Sequence, residues 1–242
     1  MVLNKILSTI KQIRDLEPQI FLDYDGTLVP IINDPEKSYA DSELFYILDY
    51  LFRKYETFIV TGRSLGETRR FLGDYNIIAL HGGIYYINGT VIEVHNYKKY
   101  VNVCNNIYDN RAEFLKEFSN LRVYNKNGGV LFHMGNIKNL DEREKLLKKV
   151  KYLGKSVNMD IYMGKDILEL RIPCINKGEA IKRIRNTWRP AIIIGDDITD
   201  EEAFRENMDA ITIKVGNETT FAKYSINFDL VRELLIDIIN MK

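Results

Sequence analysis

Five short apolar runs constrain the fold of this chain more than any other feature of its sequence. None of them alternates strictly between apolar and polar residues, and each ends in a glycine or in a small or charged polar residue. Runs of this kind are typical of parallel strands that helices cover on both faces. The runs are Gln19–Asp23, Phe58–Gly62, Ile77–Gly82, Ala191–Asp197 and Ala210–Gly216. The helical stretches between them are Ser42–Tyr55, Ser64–Leu72, Lys177–Thr187 and Asp200–Asn207. We therefore predict an α/β fold whose core is a doubly wound, Rossmann-like parallel sheet.

The middle of the chain, residues 97–172, breaks this pattern. Its helices and strands follow the order α-β-β-α-β-β, which predicts an antiparallel sheet with helices in a separate α+β domain. The expected elements are Asn106–Phe118, Leu121–Lys126, Gly129–Met134, Asn139–Tyr152, Ser156–Met163 and Ile167–Ile172. The predicted domains are a core of residues 1–96 and 173–242 and an inserted domain of residues 97–172. The Asn88-Gly89 pair before the insert predicts a tight β-hairpin.

Composition and charge argue against several classes of function. The 242 residues carry 34 Lys and Arg against 34 Asp and Glu, so the net charge gives no attraction to nucleic acid. The two cysteines, Cys104 and Cys174, are too few for a disulfide framework and favour a reducing compartment. Met1–Leu16 has the periodicity of a packed helix, with a membrane-surface helix as the less favoured alternative, and no run approaches the ~20 apolar residues of a membrane span. We expect a soluble, cytoplasmic monomer that binds neither nucleic acid nor membrane.

Two acidic motifs directly follow apolar runs. Asp23 and Asp25 lie in the sequence DYDGT, and Asp196 and Asp197 lie in the sequence GDDITDE. Because the carboxyl ends of parallel strands meet at one edge of a sheet, we expect these side chains to lie close together. Carboxylate oxygens are the ligands that Mg²⁺ prefers, so Asp23 and Asp196 form a candidate magnesium site. Asp200 either caps the following helix or supports the metal ligands from behind.

Two further motifs carry groups that can bind phosphate. Thr61 and Gly62 end an apolar run and precede Arg63, so a hydroxyl and backbone amides can bind an anion at this point. Lys177 offers a compact positive charge for a phosphoryl oxygen or for a nucleophilic carboxylate. The alternative for Thr61 is that it only caps a helix together with Ser64. The alternative for Lys177 is an ordinary solvated helix residue.

In their order and context, these four motifs resemble those of the haloacid dehalogenase superfamily of phosphatases. DYDGT resembles the DxDGT motif of the superfamily, and Thr61 resembles its hydroxyl motif. Lys177 resembles its lysine motif, and Gly195-Asp196-Asp197 resembles its acidic motif. The insert is similar to the type C2B cap domain of the superfamily. This resemblance covers the whole of the predicted core.

The resemblance implies a mechanism and a cofactor. Asp23 would attack phosphorus to form an aspartyl-phosphate, and Asp25 would protonate the leaving oxygen and later deprotonate water. Thr61 and Lys177 would complete the catalytic residues by stabilising the phosphoryl oxygens. The implied cofactor is Mg²⁺, and the implied metal-binding residues are Asp23, Asp25, Asp196 and Asp197.

Longer segments resemble the trehalose-6-phosphate phosphatases. The matching segments are Leu22–Ile31, Val60–Ser64, His81–Gly83, Leu168–Ile181 and Gly195–Phe204. This resemblance implies hydrolysis of trehalose 6-phosphate to trehalose and phosphate. The segment His133–Gly135 departs from the His-Tyr-Arg pattern common in that family, which keeps alternatives open. They are a phosphatase of mannosyl-3-phosphoglycerate, sucrose phosphate or a hexose phosphate, and a sugar-phosphate-binding regulator without turnover.

Three polar residues of the insert are candidates for recognising the sugar. Glu169 and Arg171 alternate along one predicted strand and therefore share a face, and Lys126 ends another strand. The alternative is a cross-strand ion pair that only stabilises the sheet. Together with Gly62 and Arg63 of the core, these three residues form the predicted substrate-binding set. The expected partner is a small-molecule sugar phosphate.

Overall fold

Helices and strands alternate along most of the chain. The computed structural model describes residues 2–32, 35–164 and 166–241. The helices in these ranges are α1 (Val2–Ile13), α2 (Ser42–Lys54), α3 (Leu65–Leu72), α4 (Tyr97–Asp109), α5 (Ala112–Glu117), α6 (Leu140–Val157), α7 (Lys177–Ile184), α8 (Ile198–Glu206) and α9 (Val231–Asn240). The strands are β1 (Gln19–Leu22), β2 (Thr57–Val60), β3 (Ile77–Ala79), β4 (Ile84–Ile87), β5 (Thr90–Glu93), β6 (Arg122–Asn125), β7 (Val130–His133), β8 (Asp160–Met163), β9 (Ile167–Arg171), β10 (Ala191–Gly195), β11 (Ile211–Val215) and β12 (Tyr224–Ile226).

Packing divides the chain into two units. One consists of Met1–Ile92 with Asn176–Lys242, and the other of Glu93–Ile175. The assignment of a catalytic core and a cap domain to residues 1–96 with 173–242 and to residues 97–172 stays a prediction, because packing alone does not assign a function. None of the described helices is both long and apolar enough to cross a membrane.

The larger sheet builds the first unit. In the described residues its strand order is β12-β11-β10-β1-β2-β3-β4-β5. The pairs from β12 to β3 in this order are parallel, and β4 pairs antiparallel with β3. Every residue of β1, β2, β10 and β11 is buried, so both faces of the sheet centre are covered. The predicted doubly wound, mainly parallel α/β core is confirmed.

Local sequence signals explain where the core helices begin. The side chains of Asp41, Ser64, Asn176 and Asp197 accept hydrogen bonds from backbone amides at the starts of α2, α3, α7 and α8. Such caps satisfy amides that have no partner inside the helix. Asn176 directly precedes the predicted site residue Lys177, and Asp197 is itself a predicted metal-binding residue. The capping residues at the starts of α7 and α8 therefore also help to position side chains that have a predicted chemical role.

The hairpin predicted before the insert is confirmed between β4 and β5. Asn88 and Gly89 have positive φ angles of 49° and 81°, as a two-residue type I′ turn requires. Strand β5 is exposed along its length and lies at one edge of the sheet. The hairpin therefore ends the larger sheet shortly before the second unit begins.

The second unit contains an antiparallel sheet, as predicted. Its strand order is β6-β7-β9-β8 within the described residues, and each neighbouring pair is antiparallel. Side chains from the sheet and from α4, α5 and α6 form its hydrophobic core, among them Phe118, Phe132, Leu146, Val150 and Leu170. This unit has its own core, separate from that of the first unit.

Several predicted boundaries in the second unit were wrong. The helix expected at Asn106–Phe118 is two helices, because α4 begins at Tyr97 and a break after Asp109 precedes α5. The strand expected to begin at Ser156 begins at Asp160, since α6 continues to Val157. Packing extends α6 in this way, with buried residues one turn apart along its inner face.

In the first unit, strand β12 and helix α9 were not predicted.

Candidate active site

The strand order brings the two acidic motifs together. Strand β1 lies between β10 and β2, so Asp23 at the end of β1 neighbours the residues that follow β10. The Asp23 amide donates a hydrogen bond of 2.9 Å to the Ile194 carbonyl. One carboxylate oxygen from each of Asp23, Asp196 and Asp200 lies within 4.8 Å of the other two. These three carboxylates form an acidic cluster at the carboxyl edge of the sheet.

Lys177 supplies a positive charge inside this cluster. Its ammonium donates hydrogen bonds to Asp23 Oδ1 at 2.6 Å and to Asp200 Oδ1 at 2.8 Å, and its side chain is only 2% exposed. Lys177 is the first residue of α7, where the cap at Asn176 fixes the start of the helix. The alternative of a solvated helix lysine is therefore wrong.

Asp200 takes part in the start of α8, and its support of a metal site stays a prediction. Its Oδ2 atom accepts hydrogen bonds from the amides of Asp196 and Asp197, at 3.0 and 3.1 Å. With Asp197 it forms a capping box at the start of α8. Its other oxygen contacts Lys177 and places Asp200 in the acidic cluster. Asp197 caps α8 through Oδ1 and lies 4.0 Å from the Lys177 ammonium.

Two glycines allow the acidic loops to approach closely. Gly26 has a φ of 84°, and a Cβ atom there would lie 2.1 Å from Asp196 Oδ2. A Cβ atom on Gly195 would lie 2.2 Å from Asp200 Cγ. The hydroxyl of Thr27, next to Gly26, donates a 3.2 Å hydrogen bond to Asp196 Oδ1. The glycine of DYDGT is therefore required both by its backbone conformation and by the position of Asp196.

Gly26→Ala is expected to lower stability by about 1–3 kcal/mol and to displace Asp196, because it strains a positive-φ position and overlaps the carboxylate. Chemical denaturation measures the loss of stability, and a crystal structure of the variant shows the displacement of Asp196. Gly66→Ala in α3 is the matched control, since a Cβ atom there meets nothing within 4 Å and alanine favours a helix by ~1 kcal/mol. A Gly26→Ala protein as stable as the Gly66→Ala protein, with Asp196 in an unchanged position, would contradict this account of the loop.

Burial and crowding raise the pKa values of the carboxylates in the cluster. Burial, reinforced by Asp200 and Asp197, raises the pKa of Asp196 to about 7. Burial also raises the pKa values of Asp23 and Asp200 well above their usual range, although the Lys177 ammonium opposes this. Burial acts to lower the pKa of Lys177, but Asp200, Asp23 and Asp197 outweigh it and raise that pKa. The single lysine leaves the carboxylates crowded, which an oxygen-seeking divalent ion would relieve.

Asp25 has a partner that the sequence did not indicate. The Arg63 guanidinium donates two hydrogen bonds to it, one to each carboxylate oxygen, both at 2.6 Å. Arg63 is 8% exposed, and its guanidinium carbon lies 4.8 Å from the centre of the Phe71 ring. Bidentate pairing and packing together fix the orientation of Asp25. Asp25 is not among the three residues of the acidic cluster.

The Thr61 motif forms a tight loop beside the sheet. Thr61 is buried, and its hydroxyl oxygen accepts a 3.1 Å hydrogen bond from the Arg63 amide. Its carbonyl accepts a 2.9 Å hydrogen bond from the His81 amide. The His81 ring lies against Gly62, where a Cβ atom would come within 2.4 Å of it. Ser64 caps α3 with Glu67, so the helix does not need Thr61 as its cap.

The three candidate residues of the second unit form one network. The Lys126 ammonium donates to Glu169 Oε1 at 2.7 Å, and Arg171 Nε donates to Glu169 Oε2 at 3.1 Å. The Arg171 guanidinium lies over the Tyr162 ring, 3.7 Å from its centre. Glu169 is 2% exposed. The geometry shows the ion-pair network that was considered as the alternative, and a contact of these residues with sugar stays a prediction.

Lys214 is a residue of the site region that the sequence interpretation missed. It is buried on β11 and donates a hydrogen bond to the Asp196 carbonyl. The available signal was a lysine inside the apolar run Ala210–Gly216, where a charge is unfavourable without a partner.

A mainly parallel α/β core with clustered carboxylates and a buried lysine at its strand ends defines a class of protein. The chain is a phosphatase of the haloacid dehalogenase superfamily, which hydrolyses phosphate monoesters. The family model described as trehalose-phosphatase matches residues 21–227, and the chain belongs to that family.

Relatives and solved structures agree with this assignment. The chain is 45% identical over 208 residues to the trehalose-6-phosphate phosphatase-related protein of Thermoplasma acidophilum, covering 86% of this chain and 90% of that protein. It is 26% identical over 267 residues to the probable trehalose-phosphate phosphatase I of Arabidopsis thaliana, covering 96% and 71%. A crystal structure of a trehalose-6-phosphate phosphatase related protein matches with a TM-score of 0.86 at 43% identity, covering 91% and 96%. The C-terminal domain of the C. albicans trehalose-6-phosphate phosphatase matches with a TM-score of 0.80 at 21% identity, covering 100% and 98%, which shows the fold alone.

Proposed function

We propose that this chain is a Mg²⁺-dependent phosphatase that converts trehalose 6-phosphate to trehalose and phosphate through an aspartyl-phosphate on Asp23. The observation that carries the proposal is the contact between Asp23 and the buried Lys177, beside Asp196 and Asp200. The proposed nucleophile, a cation and the proposed metal ligands therefore lie together at the carboxyl edge of the sheet. The family and the names of the relatives support trehalose 6-phosphate as the substrate.

The reaction proceeds in two displacements at phosphorus. First, a carboxylate oxygen of Asp23 attacks phosphorus, the bond from phosphorus to the sugar oxygen breaks, and Asp25 gives that oxygen a proton. Water then attacks the aspartyl-phosphate while Asp25 takes a proton from it, and the bond from phosphorus to Asp23 breaks to release phosphate. Arg63 holds Asp25 in place through its two hydrogen bonds. One of these two hydrogen bonds opens when Asp25 carries the proton, because the proton then occupies the position of one guanidinium donor.

Lys177 and Thr61 act on charge in the transition state. The phosphate dianion repels the Asp23 carboxylate, and the Lys177 ammonium offsets that repulsion at 2.6 Å. The Thr61 hydroxyl oxygen accepts from the Arg63 amide, so its own proton is free to point at a phosphoryl oxygen. These residues stabilise charge that develops on phosphorus without being consumed.

Mg²⁺, when bound, would neutralise part of the phosphate charge and orient the monoester. Asp23, Asp196 and Asp200 offer the hard oxygen donors that this ion prefers, and the raised carboxyl pKa values fit a site completed by a cation. We propose Asp23 and Asp196 as the principal ligands, with Asp200 supporting them through the Asp196 amide. The roles of Asp25 and Asp197 in metal binding stay predictions from the sequence.

Metal binding should depend on pH near neutrality. The pKa of Asp196 rises from an ordinary value near 3.8 to about 7 in the folded protein, so the protonated carboxyl is the favoured form below that pH. The stability that this group contributes is present below its unfolded pKa and is lost as pH rises through about 7. Mg²⁺ must displace the proton, so its stabilisation of the protein should grow over the same range. We expect the rise in Tm on adding MgCl₂ to be small at pH 5.5 and larger at pH 8.

Thermal denaturation with and without MgCl₂ measures this effect, and NaCl at equal ionic strength is the control. An equal rise in Tm at both pH values would contradict the assignment of Asp196 as a ligand that exchanges a proton for the ion.

In the second unit, we propose that Lys126, Glu169 and Arg171 recognise sugar hydroxyls. Their charges are already paired with one another, so they form fixed donors and acceptors rather than free charges. Fixed polar groups suit a neutral polyhydroxyl ligand. The Arg171 contact with Tyr162 holds the guanidinium in place. The contact of Gly62 and Arg63 with the substrate stays a prediction from the sequence.

Phosphate release from a panel of sugar phosphates tests the proposed function. The panel contains trehalose 6-phosphate, sucrose phosphate, mannosyl-3-phosphoglycerate, glucose 6-phosphate and a simple aryl phosphate, each with MgCl₂ or with EDTA. We expect fast, selective release from trehalose 6-phosphate only when Mg²⁺ is present. Equal rates across the panel would reduce the proposal to a general phosphatase. Full activity in EDTA would show that the reaction does not require the metal ion.

A further inference from the structure

Lys214 is a buried cation of the core that the proposed mechanism does not use. Its side chain is 5% exposed on β11, the strand next to β10. Its ammonium donates a hydrogen bond to the Asp196 carbonyl. A buried lysine is unfavourable unless its charge is compensated and its donors are satisfied. Its position therefore indicates a role at the acidic loop.

The Lys214 contact completes the support of Asp196. The Asp196 amide donates to Asp200 Oδ2 at 3.0 Å, and Asp196 Oδ1 accepts from the Thr27 hydroxyl at 3.2 Å. The carbonyl accepts from Lys214. The amide, the carboxylate and the carbonyl of one proposed ligand are thus held by three different segments of the chain.

Two glutamates compensate the charge of Lys214. Glu201 Oε1 and Glu218 Oε2 each lie 3.9 Å from its ammonium. Glu201 is 7% exposed, and its Oε2 atom accepts a 2.8 Å hydrogen bond from the Phe221 amide. Its Oε1 atom is buried and accepts no hydrogen bond from any described residue. Lys214 therefore links α8, the end of β11 and the loop before β12 around the Asp196 carbonyl.

We propose that Lys214 is a positioning residue for the Mg²⁺ site: it fixes the main chain of Asp196 so that its carboxylate stays beside Asp23 and Asp200. This inference rests on the proposed function. Lys214 contacts the main chain of a proposed ligand, so in this proposal it acts through Asp196 rather than on the ion or the substrate. Loss of a partner that orients a metal ligand typically weakens metal binding ~10–100-fold.

The test compares Mg²⁺ binding by Lys214→Met and wild-type protein. Methionine keeps the apolar stem but removes the charge and the donor. Isothermal titration of the full-length, chelator-treated protein with MgCl₂ gives the Kd. We expect Lys214→Met to raise the Kd ~10-fold or more, Lys214→Arg to restore part of the loss, and Lys223→Met to leave the Kd unchanged. Lys223 is the control because it is an exposed lysine of the loop before β12.

A second readout separates positioning from general damage. At saturating Mg²⁺ the kcat of Lys214→Met should recover to within ~3-fold of wild type, since binding of the ion restores the Asp196 carboxylate to its place. If Lys214→Met does not fold, Lys214→Leu, which also removes both the charge and the donor, carries the same comparison. A folded neutral variant whose Kd for Mg²⁺ is within about twofold of the wild-type Kd would overturn this inference but not the proposed function. Wild-type protein that binds no Mg²⁺ would overturn the proposed function as well.

Discussion

Asp23→Asn is expected to abolish phosphate release from trehalose 6-phosphate, with a loss of at least ~10⁴-fold in kcat. An amide has the shape of the carboxylate but cannot form the acyl-phosphate bond that the first displacement requires. Asp23 is 6% exposed and lies 2.6 Å from the Lys177 ammonium, so the isosteric change should leave the surrounding packing in place. Stopped assays at saturating MgCl₂ and substrate measure the loss.

The control for this variant is Asp15→Asn, which makes the same chemical change at a carboxylate whose side chain is 81% exposed. It should keep full activity. Thermal denaturation of both variants distinguishes a lost nucleophile from a lost fold. Undiminished Mg²⁺-dependent turnover by a folded Asp23→Asn protein would remove Asp23 as the nucleophile.

Lys177→Met is the second change with a large expected effect. It removes the cation that contacts Asp23 and Asp200 and leaves two buried carboxylates without compensation. We expect a loss of ~10³-fold in kcat, because charge on the phosphoryl oxygens is no longer offset. We also expect about 3–5 kcal/mol of destabilisation without Mg²⁺, the usual effect of removing one partner of a buried ion pair. The destabilisation should be larger at pH 8 than at pH 5.5, where protonation relieves the carboxylates.

Urea denaturation at the two pH values measures the stability change, and phosphate release measures kcat. Lys182→Met, on the same helix but with its side chain 43% exposed, is the matched control and should change neither quantity appreciably. A stability loss that is the same at both pH values would contradict the assignment of Lys177 as the counter-charge of the cluster.

The parts of the fold that followed from the sequence are those with strong local signals. The apolar runs before Asp23 and Asp196 predicted β1 and β10, because a strand that is buried on both faces consists mostly of apolar residues. The start of α4 was missed although Tyr100, Cys104 and Ile107 have helical spacing and are buried. Because only one of these three residues is a typical aliphatic core residue, the apolar stripe of the helix was not recognised from the sequence.

The acidic cluster could be predicted because topology alone brings strand ends together. The pairing of Arg63 with Asp25 could not, since it joins residues 38 positions apart through side chains with many rotamers. The contact of Lys214 with the Asp196 carbonyl could not be predicted either. Every residue has a backbone carbonyl, so the sequence does not show which one accepts the hydrogen bond. Sequence motifs therefore named the candidate groups, and the structure shows which residues contact them.

The most direct measurement of the central claim is the mass of the Asp23 peptide after acid quench during turnover of trehalose 6-phosphate with Mg²⁺. The account predicts a fraction of this peptide heavier by one PO₃ group in wild type and none in Asp23→Asn. In Asp25→Asn both displacements slow, because the first lacks its acid and the second lacks its base. An active wild-type enzyme whose Asp23 peptide never gains that mass would contradict the account.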